Sequence, residues 1–320
     1  MVNKETRIGV FCAVAAQVIW GLFPIYIHLL QGYDSRALVA HRISWSFAML
    51  ISLLLLAQFI RIKFLPSLGE IRSELKKPGT FWFSVLAALL IAANWLVFIW
   101  AVLHEKKVDA SLGYYICPQL VVILGVIFQG ERLARIQWFG FALTSLGVLY
   151  MVRSSASMPA ISLTVAFSFG LYALLKKRTQ LSALSGLTLE TGILFTPAIL
   201  YFVFFCGFIP PADLAPSDNP TVFTNNWQLN LLLICSGLAT VLPLAMYAQA
   251  LKHIPLSTVG LLQFIGPTIQ LLVGTRIYHE QFDRSRLVGF LIVWTGVGIY
   301  LASTRSTSNA TQNAGSNPNK

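Results

Sequence analysis

The sequence has few charged residues for its length. Of its 320 residues, 11% are Asp, Glu, Lys or Arg, whereas 56% are hydrophobic. Soluble domains carry about 25% charged residues, so this chain lacks the polar surface that a water-exposed fold of its size needs. The composition therefore excludes an ordinary soluble protein and indicates a protein that lies in a lipid bilayer.

Cysteine is also scarce, and the common catalytic motifs are missing. The sequence contains no Cys-x-x-Cys spacing, no Gly-x-x-x-x-Gly-Lys-Ser/Thr phosphate loop, no Gly-x-Ser-x-Gly and no His-Glu-x-x-His. These absences argue against a disulfide framework, a metal site, an ATPase and the common hydrolases. We therefore expect no enzymatic activity, no metal and no cofactor. The four cysteines, expected to be inert, are Cys12, Cys117, Cys206 and Cys235.

Apolar runs of about twenty residues, the length that a helix needs to cross a bilayer, alternate with short polar breaks. They predict an all-α membrane protein with ten transmembrane helices, followed by a disordered Ser/Asn/Thr-rich tail at 304–320. The predicted spans are 8–30, 36–60, 80–103, 110–129, 136–152, 159–175, 185–207, 229–251, 257–278 and 286–303.

The net charge of +11 is explained by basic residues that flank these spans. Lys and Arg are most frequent in the segments that lie inside if the N-terminus is cytoplasmic, and Lys176, Lys177 and Arg178 form one such cluster. By the positive-inside rule we predict a multi-pass protein of the cytoplasmic membrane with both termini cytoplasmic. The charge therefore indicates topology and not nucleic-acid binding.

The two halves of the sequence resemble each other when they are shifted by 149 positions. The repeat predicts units at 1–153 and 154–303, each with five helices. Because five is an odd number, the second unit must lie inverted relative to the first, an arrangement that recurs in secondary transporters. The matched pairs include Trp20 with Phe169, Pro118 with Pro267, Glu131 with Glu280, Gly140 with Gly289 and Gly147 with Gly296.

Six segments carry a family resemblance: 20–24 (WGLFP), 40–46 (AHRISWS), 94–100 (NWLVFIW), 110–118 (ASLGYYICP), 130–132 (GER) and 256–268 (LSTVGLLQFIGPT). Together they resemble the RarD-like branch of the EamA group, in the drug/metabolite transporter superfamily. The resemblance implies two inverted five-helix repeats around a central cavity, and membrane transport. One departure is Cys117 before Pro118, where this branch usually has Asn, so a different substrate contact is expected there.

Ionisable residues within the predicted spans are the first candidates for a site, because burying them in a membrane is costly. His41 and Glu190 occupy matched positions of the two repeats, and Arg42 adjoins His41. One interpretation is proton-sensitive gating or direct contact with a polar solute. The alternative is that Arg42 reaches the headgroups, His41 bonds a neighbour and Glu190 reaches the interface.

The matched prolines Pro118 and Pro267 are the second candidates. Each removes a backbone donor in mid-helix, which predicts a hinge alone or a hinge that also lines the substrate route. Asn94 either ties two helices together or contacts substrate. Polar residues near the prolines complete the predicted pathway: Tyr114, Tyr115, Gln119, Gln263, Thr268 and Gln270.

Other conspicuous residues have a structural interpretation. Glu131 and Glu280 are expected to be solvated or paired with Arg132 and Arg284 at helix ends. Trp20 could form a cavity wall, but tryptophan more commonly belongs to a belt at the membrane interface, and the belt or packing interpretation is favoured.

The predicted function is that of a secondary carrier, alone or as a homodimer, that moves a small metabolite or drug by alternating access. Export is the favoured direction, and proton or substrate exchange is the expected driving force. The expected partners are thus a small-molecule substrate, membrane lipid and protons. The alternatives are a solute-binding membrane receptor and a membrane enzyme or lipid flippase.

Overall fold

The computed structural model describes residues 4–62, 65–104, 107–153, 159–179, 181–206, 222–278 and 284–315. All regular structure within these ranges is helical. The helices are α1 (Lys4–His28), α2 (Ser35–Phe59), α3 (Leu68–Leu75), α4 (Thr80–Leu103), α5 (Lys107–Gln129), α6 (Arg135–Arg153), α7 (Pro159–Arg178), α8 (Ala183–Phe205), α9 (Trp227–His253), α10 (Leu256–Leu262), α11 (Ile265–Arg276) and α12 (Arg284–Gly315).

Eight segments of the described chain are long and apolar enough to cross a membrane. They are α1, α2, α4, α5, α7, α8, α9 and the combined segment of α10 and α11. The predicted span at 136–152 corresponds to α6, and the one at 286–303 to the first part of α12. The apolar portion of α12, Leu287–Ser303, is shorter than the eight segments named above. The all-helical membrane class is thus confirmed, and the number of ten spans stays a prediction.

The last helix differs from the sequence-based expectation. It continues to Gly315, well into the segment 304–320 that was expected to be a disordered tail. Neither glycine nor proline occurs between residues 304 and 314, so nothing there interrupts the helical backbone before Gly315.

Large apolar side chains cover the outside of the helix bundle. Phe59 is 85% exposed, Phe204 is 72% exposed and Trp82 is 71% exposed. Extended apolar surface of this kind is rare on soluble monomers. It is the surface expected of helices that face lipid.

Helix packing follows the division into two halves, in which α1, α2, α4, α5 and α6 correspond to α7, α8, α9, α10–α11 and α12. The contact of α5 with α7 has its counterpart in α11 with α1, and that of α4 with α7 has its counterpart in α9 with α1. The contact of α4 with α8 likewise corresponds to that of α9 with α2. Three further contacts join counterparts directly, namely α2–α8, α5–α10 and α6–α12.

Glycines bring the backbones of α6 and α12 close together. A methyl group added at Gly140 would lie 2.8 Å from the carbonyl oxygen of Gly296, and one added at Gly147 would lie 2.9 Å from that of Gly289. Small residues permit such close approach between membrane helices. Because these four glycines form two matched pairs, both halves contribute the same positions to this interface.

One predicted span is distorted at the turn before its proline, where Gln263 and Phe264 keep right-handed helical backbone angles. The segment 257–278 forms two helices, α10 and α11, which are separated at Gln263 and Phe264. Pro267 cannot donate to the carbonyl of Gln263, and the preceding Gly266 has low helix propensity. In contrast, α5 stays continuous through Pro118, which follows Cys117 instead of glycine.

Glu131 caps a helix of the other half. Its carboxylate accepts hydrogen bonds from the backbone nitrogens of Leu256 at 2.5 Å and Ser257 at 2.9 Å, at the start of α10. The structural role expected for Glu131 is therefore a helix cap and not an ion pair with Arg132: the exposed donors of a helix start are good partners for a carboxylate. Glu280 lies outside the described residues.

Asp34 caps the start of α2. Partial burial raises the pKa of its carboxyl, but hydrogen bonds from Arg36, the Ala37 backbone nitrogen and Tyr201 outweigh burial and hold the pKa below its ordinary value of 3.8. The hydroxyl of Tyr201 donates to Asp34 at 3.0 Å, which connects α8 to the start of α2. The carboxylate therefore stabilises this end of the bundle in its ionised form.

Candidate functional site

A cavity lies between α1, α2, α4, α5, α7 and the start of α11. It holds about 630 Å³ of space between protein atoms, any part open to solvent included. Aromatic rings and side-chain amides dominate its wall, and Arg42 is the one charged side chain among the described residues that line it. The lining residues are Gln17, Trp20, Phe23, Arg42, Asn94, Trp95, Phe98, Tyr114, Phe169, Gln263, Gly266, Pro267 and Gln270.

Arg42 is held inside the bundle. The residue is 5% exposed, and its Nε donates to the hydroxyl oxygen of Thr240 on α9 at 3.0 Å. Its guanidinium carbon lies 4.7 Å from the ring centroids of both Phe23 and Trp95, within the range of cation–π attraction. The side chain is thus clamped by aromatic rings of two helices and does not reach toward the headgroups.

Asn94 and Tyr114 form one polar side of the cavity. The Asn94 amide nitrogen donates to the Val165 carbonyl at 3.0 Å and to the Ser168 hydroxyl at 3.1 Å, so it ties α4 to α7. Its oxygen accepts a hydrogen bond from the Tyr114 hydroxyl at 3.3 Å. Asn94 therefore combines both predicted roles, since it joins two helices and lines the cavity.

Gln263 lies at the break between α10 and α11. Its amide nitrogen donates to the hydroxyl of Tyr247, and the Cys117 sulfur lies 3.7 Å from its amide oxygen. Cys117, which stands where the resembling family usually has asparagine, is only 1% exposed. It therefore contacts the cavity-lining Gln263 without lining the cavity itself.

Gln270 bonds a backbone group that a proline leaves free. Pro24 has no N–H, so the carbonyl of Trp20 four residues earlier lacks its usual helical donor. The amide nitrogen of Gln270 donates to this carbonyl at 3.2 Å. A kinked helix of the first half is thereby joined to α11 in the second half.

The structure brings half of the predicted site residues together at the cavity: Arg42, Asn94, Tyr114, Gln263, Pro267 and Gln270. The others are not among its lining residues: His41, Tyr115, Pro118, Gln119, Glu190 and Thr268.

Most of the remaining predicted residues connect helices behind the wall. The hydroxyl of Tyr115 donates to the Pro267 carbonyl at 3.1 Å. The oxygen of Gln119 accepts from Ser145 at 2.9 Å, and Thr268 accepts from the Trp294 indole at 3.0 Å. The backbone of Pro118 lies beside α10: a methyl group added at Gly260 would be 3.0 Å from its carbonyl oxygen.

His41 and Glu190 are buried but separate from the cavity wall. The His41 ring packs on Phe202 with a centroid distance of 4.8 Å. Glu190 accepts from the Lys176 ammonium at 2.8 Å and from the Tyr172 hydroxyl at 3.0 Å. Lys176, which was expected to be a flanking cytoplasmic charge, is instead a buried ion-pair partner and is 4% exposed.

Sequence reasoning missed most of the aromatic wall. Trp20 lines the cavity, and its ring meets that of Phe169 edge to face, with centroids 5.5 Å apart. These two residues occupy matched positions of the repeats, so the repeat carried a usable signal. Phe23, Trp95, Phe98 and Gly266 lie in segments that carry the family resemblance, but no position within those segments was distinguished as cavity-lining; Gln17 lies outside them.

The membrane-spanning bundle and its polar-aromatic cavity define a multi-pass membrane protein of the transporter class. The chain belongs to the EamA-like transporter family, whose model matches residues 7–153 and again residues 158–302. Members of this family are transporters of small solutes and not enzymes.

Curated relatives match over almost their whole length. The uncharacterized transporter YojE of Bacillus subtilis is 39% identical over 303 residues, 95% of this chain and 96% of the relative. Protein RarD of Escherichia coli is 34% identical over 308 residues, 96% of this chain and 98% of the relative. The RarD-like resemblance is therefore confirmed. A solved crystal structure with 15% identity shares the fold, with a TM-score of 0.64 over 92% of this chain and 98% of the other.

Proposed function

We propose that this protein is a secondary transporter that moves a small solute across the cytoplasmic membrane by alternating access. The observation that carries the proposal is the cavity, to which both halves of the chain contribute polar and aromatic side chains. A wall built from both halves changes its opening when the halves move relative to each other.

The proposal includes two inverted five-helix repeats, with α6 and α12 as the fifth and tenth spans and both termini cytoplasmic. The exchange of helix contacts between the halves supports it. So does the pair of family matches, which divide the chain near residue 155. The close-packed α6–α12 pair then serves as a fixed contact, while helices around the cavity reorient.

The break between α10 and α11 supports the location of the substrate route. A proline within a transmembrane helix leaves a carbonyl without its helical donor, and such a carbonyl is tolerated where it faces a cavity or a neighbouring helix. Gln263, Gly266 and Pro267 all lie at or next to this break and line the cavity. The favoured direction is export, with proton or substrate exchange as driving force and with one or two copies of the chain as the transporting unit.

Transport is tested with purified protein in liposomes loaded with a pooled small-metabolite extract. Mass spectrometry follows which compounds leave, with and without an imposed pH gradient. We expect at least one compound to leave only when intact protein is present. The pH gradient then decides whether protons are coupled to its movement.

A matched pair of glycine variants provides the control. A side chain at Gly266 would lie 2.7 Å from the Gln17 amide oxygen at the cavity wall, whereas Gly298 has nothing within 4 Å. Gly266→Val is therefore expected to abolish the flux that Gly298→Val retains. Equal flux in both variants, or no flux with the wild-type protein, would contradict transport through this cavity.

Alternating access needs a separate test. Cysteine pairs are introduced near each end of the cavity, in a background without the four native cysteines, and crosslinked with and without the transported compound. We expect crosslinks at one end to exclude crosslinks at the other. If one access state alone is ever trapped, the mechanism is wrong even where flux is observed.

A further inference from the structure

The cavity contains a positive charge without a fixed counter-charge. Among its described lining residues there is no Asp, Glu or Lys, and the ion pairs of the described chain are Arg36–Asp34, Lys77–Glu74 and Lys176–Glu190. Arg42 belongs to none of them. A buried guanidinium without an anion is unfavourable, and aromatic rings compensate for it only in part.

The orientation of Arg42 leaves its charged end available. The Nε donates to Thr240, and the guanidinium carbon lies 4.7 Å from the ring centroids of Phe23 and Trp95. The two terminal nitrogens, which form a planar fork, have no protein partner among the described hydrogen bonds of this residue. Such a fork matches the two oxygens of a carboxylate.

The rest of the wall describes the remainder of the ligand. Rings of Trp20, Phe98 and Phe169 surround the space with apolar and aromatic surface. The amides of Gln17 and Gln270 provide donors and acceptors without charge.

We infer that the cavity binds a small aromatic or apolar monocarboxylate, with its carboxylate on the terminal nitrogens of Arg42 and its body among the aromatic rings. This inference rests on the proposed function and names its substrate class. A phosphate monoester, with a charge near −2 at neutral pH, would leave one negative charge without compensation. An organic cation would meet Arg42 without any carboxylate to offset the repulsion.

Four probes of similar size separate these chemistries. They are 3-phenylpropanoate, phenethylamine, phenylalanine and phenyl phosphate, which differ in charge but share the ring. Binding to purified protein in detergent is measured by thermal stabilisation and by quenching of tryptophan fluorescence, since Trp20 and Trp95 line the cavity. We expect 3-phenylpropanoate to bind more tightly than each of the other three.

Three variants connect the preference to Arg42. Arg42→Gln is expected to weaken binding of 3-phenylpropanoate roughly 10- to 100-fold, the range for a lost hydrogen bond to a charged group. Arg42→Lys, which keeps the charge but loses the fork, should weaken it less. Arg178→Gln is the matched control, because Arg178 is exposed and donates to the Phe128 carbonyl away from the cavity. It should bind as the wild type does.

Tighter binding of phenethylamine or phenyl phosphate than of 3-phenylpropanoate would overturn the inference, and this comparison needs the wild-type protein alone. Unchanged binding in Arg42→Gln would overturn it too. The same probes in the liposome assay separate the two proposals. Binding of the carboxylate without flux would contradict transport but retain the ligand class. Flux of other solutes without carboxylate binding would contradict the ligand class but retain transport.

Discussion

The substitution Glu190→Gln is expected to destabilise the protein strongly, because it removes the anion of a buried ion pair. The side chains of Lys176 and Glu190 are 3% and 5% exposed, and their charged atoms lie 2.8 Å apart. Glutamine would still accept a hydrogen bond from Tyr172, but the ammonium of Lys176 would have no counter-charge. Removal of one partner from a buried pair typically costs about 3–5 kcal/mol.

Thermal unfolding of detergent-solubilised protein measures this effect. Glu74→Gln is the matched control, since it removes the same charge from an exposed pair with Lys77 at 2.6 Å. Exposed pairs contribute about 0–1 kcal/mol, so the control should unfold close to the wild-type Tm. The double variant Lys176→Met with Glu190→Gln should recover most of the loss, because it leaves no charge uncompensated.

Equal stability of Glu190→Gln and Glu74→Gln would refute this reasoning. The carboxylate of Glu190 would then be available for the proton-responsive role that the sequence suggests for it and for His41. In that case transport by Glu190→Gln should lose its dependence on a pH gradient. A structural ion pair instead predicts that the stabilised double variant keeps that dependence.

Three further outcomes are expected in thermal unfolding measurements. Glu131→Gln should lower Tm, because hydrogen bonds from the start of α10 to a charged group contribute about 1.5–3 kcal/mol; an unchanged Tm would contradict the capping role. Gly296→Val should disrupt the α6–α12 contact and lower Tm, since an added methyl group would lie 2.6 Å from the Gly140 carbonyl oxygen. Gly298→Val is the control and should have little effect, because a methyl group added there would have no atom within 4 Å. Asp34→Asn should be less stable than the wild type at neutral pH. The difference should vanish as pH falls below about 3.8, because the folded pKa of Asp34 is lowered and its contribution to stability is lost on protonation. A difference that stays constant with pH would contradict this.

The sequence predicts the membrane class well because span length and hydropathy are local properties. Arg42 was likewise recognisable, since a charge within an apolar run is visible without any structure. The sequence could not show what an ionisable side chain meets. Glu190 was visible for the same reason as Arg42, yet it pairs with Lys176, which looked like an ordinary flanking charge. Helix rotation and the neighbouring helix decide this, and neither is encoded in the pattern of one segment.

The same limit applies to the aromatic wall and to the helix break. For Trp20 the sequence favours a belt or packing role over a cavity wall, because tryptophan is common in all three places and a single segment does not separate them. The distorted turn at Gln263 and Phe264 lies one turn before Pro267, whereas α5 stays continuous through Pro118. Proline by itself was therefore an incomplete guide to backbone geometry.

If the cavity carries a monocarboxylate as proposed, the unpaired cation of Arg42 would make the transport cycle electrogenic. A carrier that holds a monocarboxylate on Arg42 has no net charge at its binding site, so the transmembrane voltage does not oppose its reorientation. The empty carrier exposes a positive site, and an inside-negative potential favours its return toward the cytoplasm. One elementary charge moved through 100 mV corresponds to about 2.3 kcal/mol, which sustains a roughly 40-fold outward gradient of the anion. In the proposed cycle the membrane voltage would therefore add to any driving force from proton or substrate exchange.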